Sequence, residues 1–161
     1  MKKIIPLLLL CIILLASCGS SKNKTEYKTD VSVNEIAKSI LDVTNIDTLS
    51  QADEGWVALN IPIDLALCEE SAIFVNTTSS SDMFGVFKAS SEENANMLYD
   101  QAKAYLKNLK DNWMSEYLAD QFPKIENAVA KKCGLYVTFL IFDDNVRDNA
   151  EKEFVSALEV K

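Results

Sequence analysis

Residue type and spacing admit chemistry at a few places in this sequence. They are Cys68 and Cys133, the carboxylate pairs Glu69-Glu70 and Glu92-Glu93, the acidic cluster Asp143, Asp144 and Asp148, and the polar loop Thr77 to Asp82. No histidine occurs anywhere in the 161 residues. That absence removes Ser-His-Asp and Cys-His nucleophilic catalysis, His-ligated zinc and a histidine pH switch. Catalysis would have to rest on carboxylates, Lys, Tyr, Ser or Cys.

Each candidate has an ordinary structural reading beside the chemical one. Cys68 and Cys133 can form a disulfide only if their Cα atoms come within about 7 Å; otherwise Cys68 is a buried thiol and Cys133 an exposed one at a hairpin tip. Two carboxylates serve glycoside hydrolysis when they face each other roughly 5–10 Å apart across a cleft, whereas adjacent acids at a helix start are normally solvated or capping. Asp143, Asp144 and Asp148 lack the alternating ligands and glycine of a calcium loop, which leaves helix capping as their expected role. A serine in the Thr77–Asp82 loop would need a lysine as its base, and no motif supports one. Trp56, Tyr105, Trp113 and Tyr117 suggest a sugar-stacking set, but three of them fall on one helical stripe and read as core. No catalytic residue, metal site or cofactor is assigned.

Cys18 is different, because its surroundings give it a role. Lys2 and Lys3 precede an apolar run from Ile4 to Ala16, which is shorter than the roughly 20 residues of a spanning helix. A basic start, a short apolar stretch and small residues at a cut site make a signal peptide. Leu15-Ala16-Ser17-Cys18-Gly19 resembles the bacterial lipobox, in which the cysteine is lipidated and becomes the new N-terminus. The expectation is a signal peptide over 1–17, a lipidated Cys18 with a flexible polar tether over 18–30, and a single domain over 31–161. Two acyl chains, each buried CH₂ contributing about 0.8 kcal/mol, suffice for stable attachment. The chain would then sit on the extracytoplasmic face of the cell membrane, with membrane lipid as its covalent partner.

Lys2 and Lys3 are the charges before Ser17, so the remainder carries 14 basic against 24 acidic residues, a net of −10. Such a body is repelled by nucleic acid and by anionic head groups, which argues against nucleic acid as a partner and makes a covalent anchor necessary.

The elements that position these residues follow from periodicity. Val33, Ile36, Ala37, Ile40 and Leu41 predict a helix over Val31–Val43, capped by Asp30 or Ser32. Ile61–Glu69 reads as a short helix or turn with Pro62 in its first turn. Ser71–Asn76 and Met83–Ala89 alternate as strands around the Thr77–Asp82 turn. A long helix is expected over Ser91–Ala119, with Ser90 and Glu93 at capping-box spacing and a stripe of Leu98, Ala102, Tyr105, Leu106, Leu109, Trp113 and Tyr117. Asn127–Lys131 and Leu135–Phe142 form a second hairpin around Lys132-Cys133-Gly134, and a last helix covers Asn145–Leu158. The fold class is α+β, two β-hairpins forming a four-stranded antiparallel sheet packed against helices. Leu135–Phe142 is apolar on both faces; either the N-terminal helix covers Tyr136, Leu140 and Phe142, or those three form an interaction face.

The run AIFVNTTSSSDMFGVFKASSEENANMLYDQAKAYLKNLKDNW and the later FPKIENAVAKKCGLYVTFLIFDD resemble the family called domain of unknown function 4358. The resemblance covers about residues 31–158, rests most on the hairpin ending in VFKA and on PKIENAV…GLYVTFLI, and departs from the family's pattern in the cysteine of the second turn. It implies a small lipoprotein of clostridial-type Gram-positive bacteria with one α+β domain, and no activity or catalytic residue. The expected function is therefore a non-enzymatic binding or interaction module of the cell envelope, its partner an envelope protein or small ligand. The competing expectation is a carboxylate-dependent hydrolase of wall glycans.

Overall fold

The computed structural model describes residues 25–114, 116 and 118–160. The expected signal peptide over 1–17, Cys18 and Tyr117 lie outside the described residues. The elements are α1 (Val33–Thr44), β1 (Leu49–Gln51), α2 (Glu54–Asn60), β2 (Cys68–Asn76), β3 (Met83–Ala89), α3 (Glu92–Asp111), α4 (Phe122–Glu126), β4 (Val129–Cys133), β5 (Tyr136–Ile141) and α5 (Asp144–Leu158).

The α+β class holds, with five antiparallel strands rather than four, in the order β1-β2-β3-β5-β4. The added edge strand β1 pairs Leu49 with Asn76 and Gln51 with Phe74. The two central strands explain the doubly apolar sequence of 135–142: all six residues of β5 are buried. On one face, Phe84, Val86, Tyr136, Leu140 and Phe142 pack with Ile36 and Ile40 of α1 and Ala150 and Phe154 of α5. On the other, Phe87, Val137, Phe139 and Ile141 pack with Leu98, Ala102 and Tyr105 of α3 and Val57 of α2. Helices therefore cover both sides of the sheet. Among the described residues no helix is long and apolar enough to cross a membrane.

Local chemistry sets the boundaries. Ser32 caps α1 by accepting from Asn34 N–H at 3.2 Å, and Asn45 ends it in the left-handed region at φ 52°, a conformation asparagine tolerates. Ser91, not Ser90, caps α3. That helix stops at Asp111, eight residues short of the expected end, where Asn112 turns its side-chain amide onto the Asn108 carbonyl at 2.9 Å. Trp113 kept the helical spacing because the turn beyond the helix also folds back onto the core. Pro62 precedes a 3-10 turn at Leu65–Leu67 and is not part of it. The second hairpin turns on Gly134-Leu135, with Cys133 paired to Tyr136. Gly134 adopts φ 57°, as the first position of a two-residue loop can demand.

The inner end of the expected flexible tether is docked. Lys28 N–H donates to the Leu158 carbonyl at 2.8 Å, Val160 N–H donates to Glu26 O at 3.3 Å, and Lys28 Nζ reaches Ala157 O at 3.1 Å. The last carbonyls of a helix lack partners within it, and α5 has no basic residue in its last turn. Lys28 supplies both donors and a cation at the negative end of the helix.

Candidate functional site

The sequence candidates divide by where the sheet places them. Cys68 opens β2 and packs on the α3 side, whereas Cys133 closes β4 on the α1/α5 side with no exposed surface. Both are free thiols, with the sheet between them, so the Cys68–Cys133 disulfide is overturned, as is the exposed position expected for Cys133. Burial, helped by Asp64, pushes the Cys68 thiol up to about 11. Burial also raises Cys133. Raised thiols make poor nucleophiles. The proposed interaction face is overturned too: Tyr136, Leu140 and Phe142 have no exposed surface beneath α1 and α5, and the Tyr136 hydroxyl donates to Val31 O at 2.6 Å.

The carboxylates are spent on local structure. Glu69 pairs with Lys88 at 2.9 Å. Glu70 accepts from Val33 N–H at 2.9 Å and so holds the positive end of α1. Glu92 and Glu93 stand in the first turn of α3. Asp144 and Asp148 bracket Arg147, at 2.6 and 2.9 Å. Asp143 occupies the cap position of α5 but makes no side-chain cap bond, lying instead 3.5 Å from Lys124 Nζ. Among the described residues no three such side chains converge as metal ligands. Tyr105 is buried in the α3-side core, and Trp56 and Trp113 lie half-buried against it.

The Thr77–Asp82 loop brings together a serine and a lysine. Its tip is exposed, but Asp82 is buried against Lys124 of α4. Lys124 Nζ donates to the Asp82 carboxylate at 2.9 and 3.0 Å and to Ser80 Oγ at 3.2 Å. The Ser80 hydroxyl in turn makes a short hydrogen bond to Asp82. Gln121 Oε1 accepts from Ser81 N–H at 3.1 Å. A lysine serves as a base only as a free amine with a lone pair on the serine proton. Here Lys124 Nζ donates to Asp82 and Ser80 and lies near Asp143, and the Ser80 hydroxyl donates to Asp82. The arrangement clamps the loop to α4. No spacing rule reveals it, since Ser80 and Lys124 are 44 residues apart.

A different place is open. β4 pairs with β5 on one side, and no strand among the described residues lies on its other side. Two grooves flank that edge. One of about 410 Å³ lies toward α5, lined by Lys131, Asp148, Glu151, Lys152 and Val155. The other, of about 250 Å³, lies toward α3, where Lys103, Lys107 and Lys110 stand over a floor that includes Leu106, Ile125 and Ala130. The lysines meet acids at the surface, Lys110 with Glu126 at 3.1 Å and Lys131 with Glu151 at 2.7 Å, pairs of the exposed kind worth about 0–1 kcal/mol. Lys132 bonds the neutral Asn96 at 2.6 Å. Sequence reading passed over this edge because the strand order is what exposes it.

A family model described as Domain of unknown function (DUF4358) matches residues 44–142. The match takes in all five strands and stops short of α5, a narrower span than the resemblance suggested. No curated protein and no solved structure matches the chain.

Proposed function

The chain belongs to the family described as Domain of unknown function (DUF4358), and from that premise we propose that it is a lipid-anchored binding module on the extracytoplasmic face of a membrane, working by recognition and not by catalysis. The observation that carries the binding half of the reading is the open β4 edge, with a groove on each side and lysines along both. Sheets generally blunt or cover such edges, lysine being a common device, and Lys131 and Lys132 of β4 turn away a basic or uncharged strand while leaving an acidic one able to pair. An edge left with side-chain grooves on both sides has the layout of a recognition surface.

The anchoring half rests on Leu15-Ala16-Ser17-Cys18-Gly19 behind the apolar run, and on the docked segment that follows. Cys18 precedes Glu26, the first residue bonded to the C-terminal end, by eight residues. Eight residues span at most about 29 Å. The domain would thus stand close to the bilayer, with the β4–β5 hairpin tip, which Tyr27 touches at Gly134, near the point of attachment.

The test is metabolic labelling with a palmitate analogue in the producing cell. Label on the mature protein, lost in Cys18→Ser together with a move from the membrane fraction to the soluble one, is the expected result. A Cys18→Ser protein that fractionates as the wild type does overturns the anchoring.

A further inference from the structure

Resting on the reading of the chain as a binding module, we infer that β4 takes an extended, acidic peptide segment as a sixth strand of the sheet. The two-residue loop Gly134-Leu135 makes Cys133 and Tyr136 a hydrogen-bonded pair. Antiparallel alternation then turns the N–H and C=O of Cys133, Lys131 and Val129 inward to β5, and those of Ala130 and Lys132 outward. Among the described residues no backbone group bonds to that outer side. An incoming strand would satisfy those groups, and its alternate side chains would fall into the two grooves.

Charge selects the occupant. Lys103, Lys107, Lys110, Lys131, Lys132 and Lys152 gather along this one edge. They are six of the chain's 16 basic residues, in a molecule of net charge −8. The α3-side groove is lined by three lysines and the single acid Glu126 over an apolar floor, while just outside it Lys103 reaches Asp100 at 2.8 Å and Lys107 pairs with Asp111. The α5-side groove sets Lys131 and Lys152 against Asp148 and Glu151 and is balanced. The segment that fits carries Asp or Glu at every second position, toward α3, and small neutral residues between. The present ion pairs of these lysines are surface pairs, readily exchanged for an incoming carboxylate. The free backbone groups favour a peptide over a polyanion without amides.

The test uses the purified, lipidated full chain in detergent and a fluorescent hexapeptide alternating Glu and Thr. Three probes accompany it: a block Glu-Glu-Glu-Thr-Thr-Thr peptide, the alternating peptide N-methylated at every second amide, and inorganic polyphosphate. Saturable binding of the alternating peptide is expected, about tenfold weaker for the block and N-methylated forms. Amide exchange should slow at Ala130 and Lys132 on binding and stay unchanged at Lys131, which already faces β5. Lys107→Glu combined with Lys110→Glu, both at exposed positions and with an unchanged urea midpoint as the check on folding, should weaken binding at least as much. Equal binding of the N-methylated peptide, or displacement by polyphosphate with no change in exchange, makes the edge a plain anion patch and overturns strand addition. Absence of any binding overturns it as well. The palmitate result is independent of all these outcomes, so a failure here is distinguishable from a failure of the anchoring.

Discussion

Gly85 lies in β3 against Phe139 of β5, and replacing it with alanine tests the packing of the α3-side core. An added Cβ would fall 2.6 Å from Phe139 Cε1 and 2.9 Å from Phe87 Cζ, against the 3.5–4.0 Å or so of a normal carbon contact. Neither ring can withdraw easily. Both are wholly buried, their centroids lie 6.0 Å apart, and Phe139 also meets Tyr105 edge-on at 5.4 Å. Overpacking of this kind costs about 1–3 kcal/mol, and two hemmed rings place Gly85→Ala at the upper end. Alanine returns about 0.5–1 kcal/mol through the lower entropy of the unfolded chain. The expected net is a loss of about 2 kcal/mol in urea unfolding, read as a lower midpoint at unchanged slope. Phe139→Leu removes the atoms nearest the new methyl group, so in that background Gly85→Ala should cost at least about 1 kcal/mol less. A neutral or stabilising Gly85→Ala, or an equal cost in both backgrounds, would refute the steric account.

Lys124→Met tests the clamp on the Thr77–Asp82 loop. It leaves the Asp82 carboxylate buried without its cation, and breaking such a pair costs on the order of 3 kcal/mol. Asp82→Asn added to Lys124→Met should recover part of that loss, and an additive double variant would show that the two side chains do not act as a unit. Alkaline pH tests the buried hydroxyl and thiol of the α3 side. Burial raises Tyr105 to about 12 and Cys68 to about 11, so the folded chain holds protons that the unfolded chain releases from about pH 9 upward. Stability is therefore full below that range and falls as pH rises toward 12. Tyr105 contributes at most about 2.7 kcal/mol to the fall. Thermal melts of Tyr105→Phe should decline less steeply above pH 10 than the wild type, and parallel declines would count against the assignment.

What the sequence made legible was whatever repeats locally. Met83–Ala89 is the observed third strand to the residue, and the last helix begins one position before its expected start, because alternation in one and three-four spacing in the other run the full length of each element. The elements that escaped have no period to show. β1 is three residues with a single buried side chain, Leu49, and it exists through its pairing with β2. The overrun of α3 arose where Trp113 packs from a turn and imitates a further helical position. Cys133 was misplaced because Gly134 serves as the first residue of a two-residue loop, which returns the cysteine to the strand. The cysteine pair and the supposed face of Tyr136, Leu140 and Phe142 failed together, since both depend on what covers each side of the sheet.

The open edge went unread in the sequence, yet once the strand order is known composition accounts for it. The chain leaves β3, runs through α3 and α4, and must add the β4–β5 hairpin to a free side of β3. Either member of the hairpin can dock there, and the other then becomes the edge. Tyr136–Ile141 carries large apolar side chains on both faces and leaves least apolar surface in water only in the middle of the sheet. Val129–Cys133 carries Lys131 and Lys132, one toward each face, and neither ammonium can be buried at the centre without a partner. The observed order β3-β5-β4 satisfies both demands. The same two lysines that exclude β4 from the interior thereby place a positive charge beside the two unpaired residues of backbone at the sheet's margin. Burial preference in one strand has fixed the charge of the surface offered by its neighbour, and a segment that recognises this edge must be read by backbone pairing and acidity together.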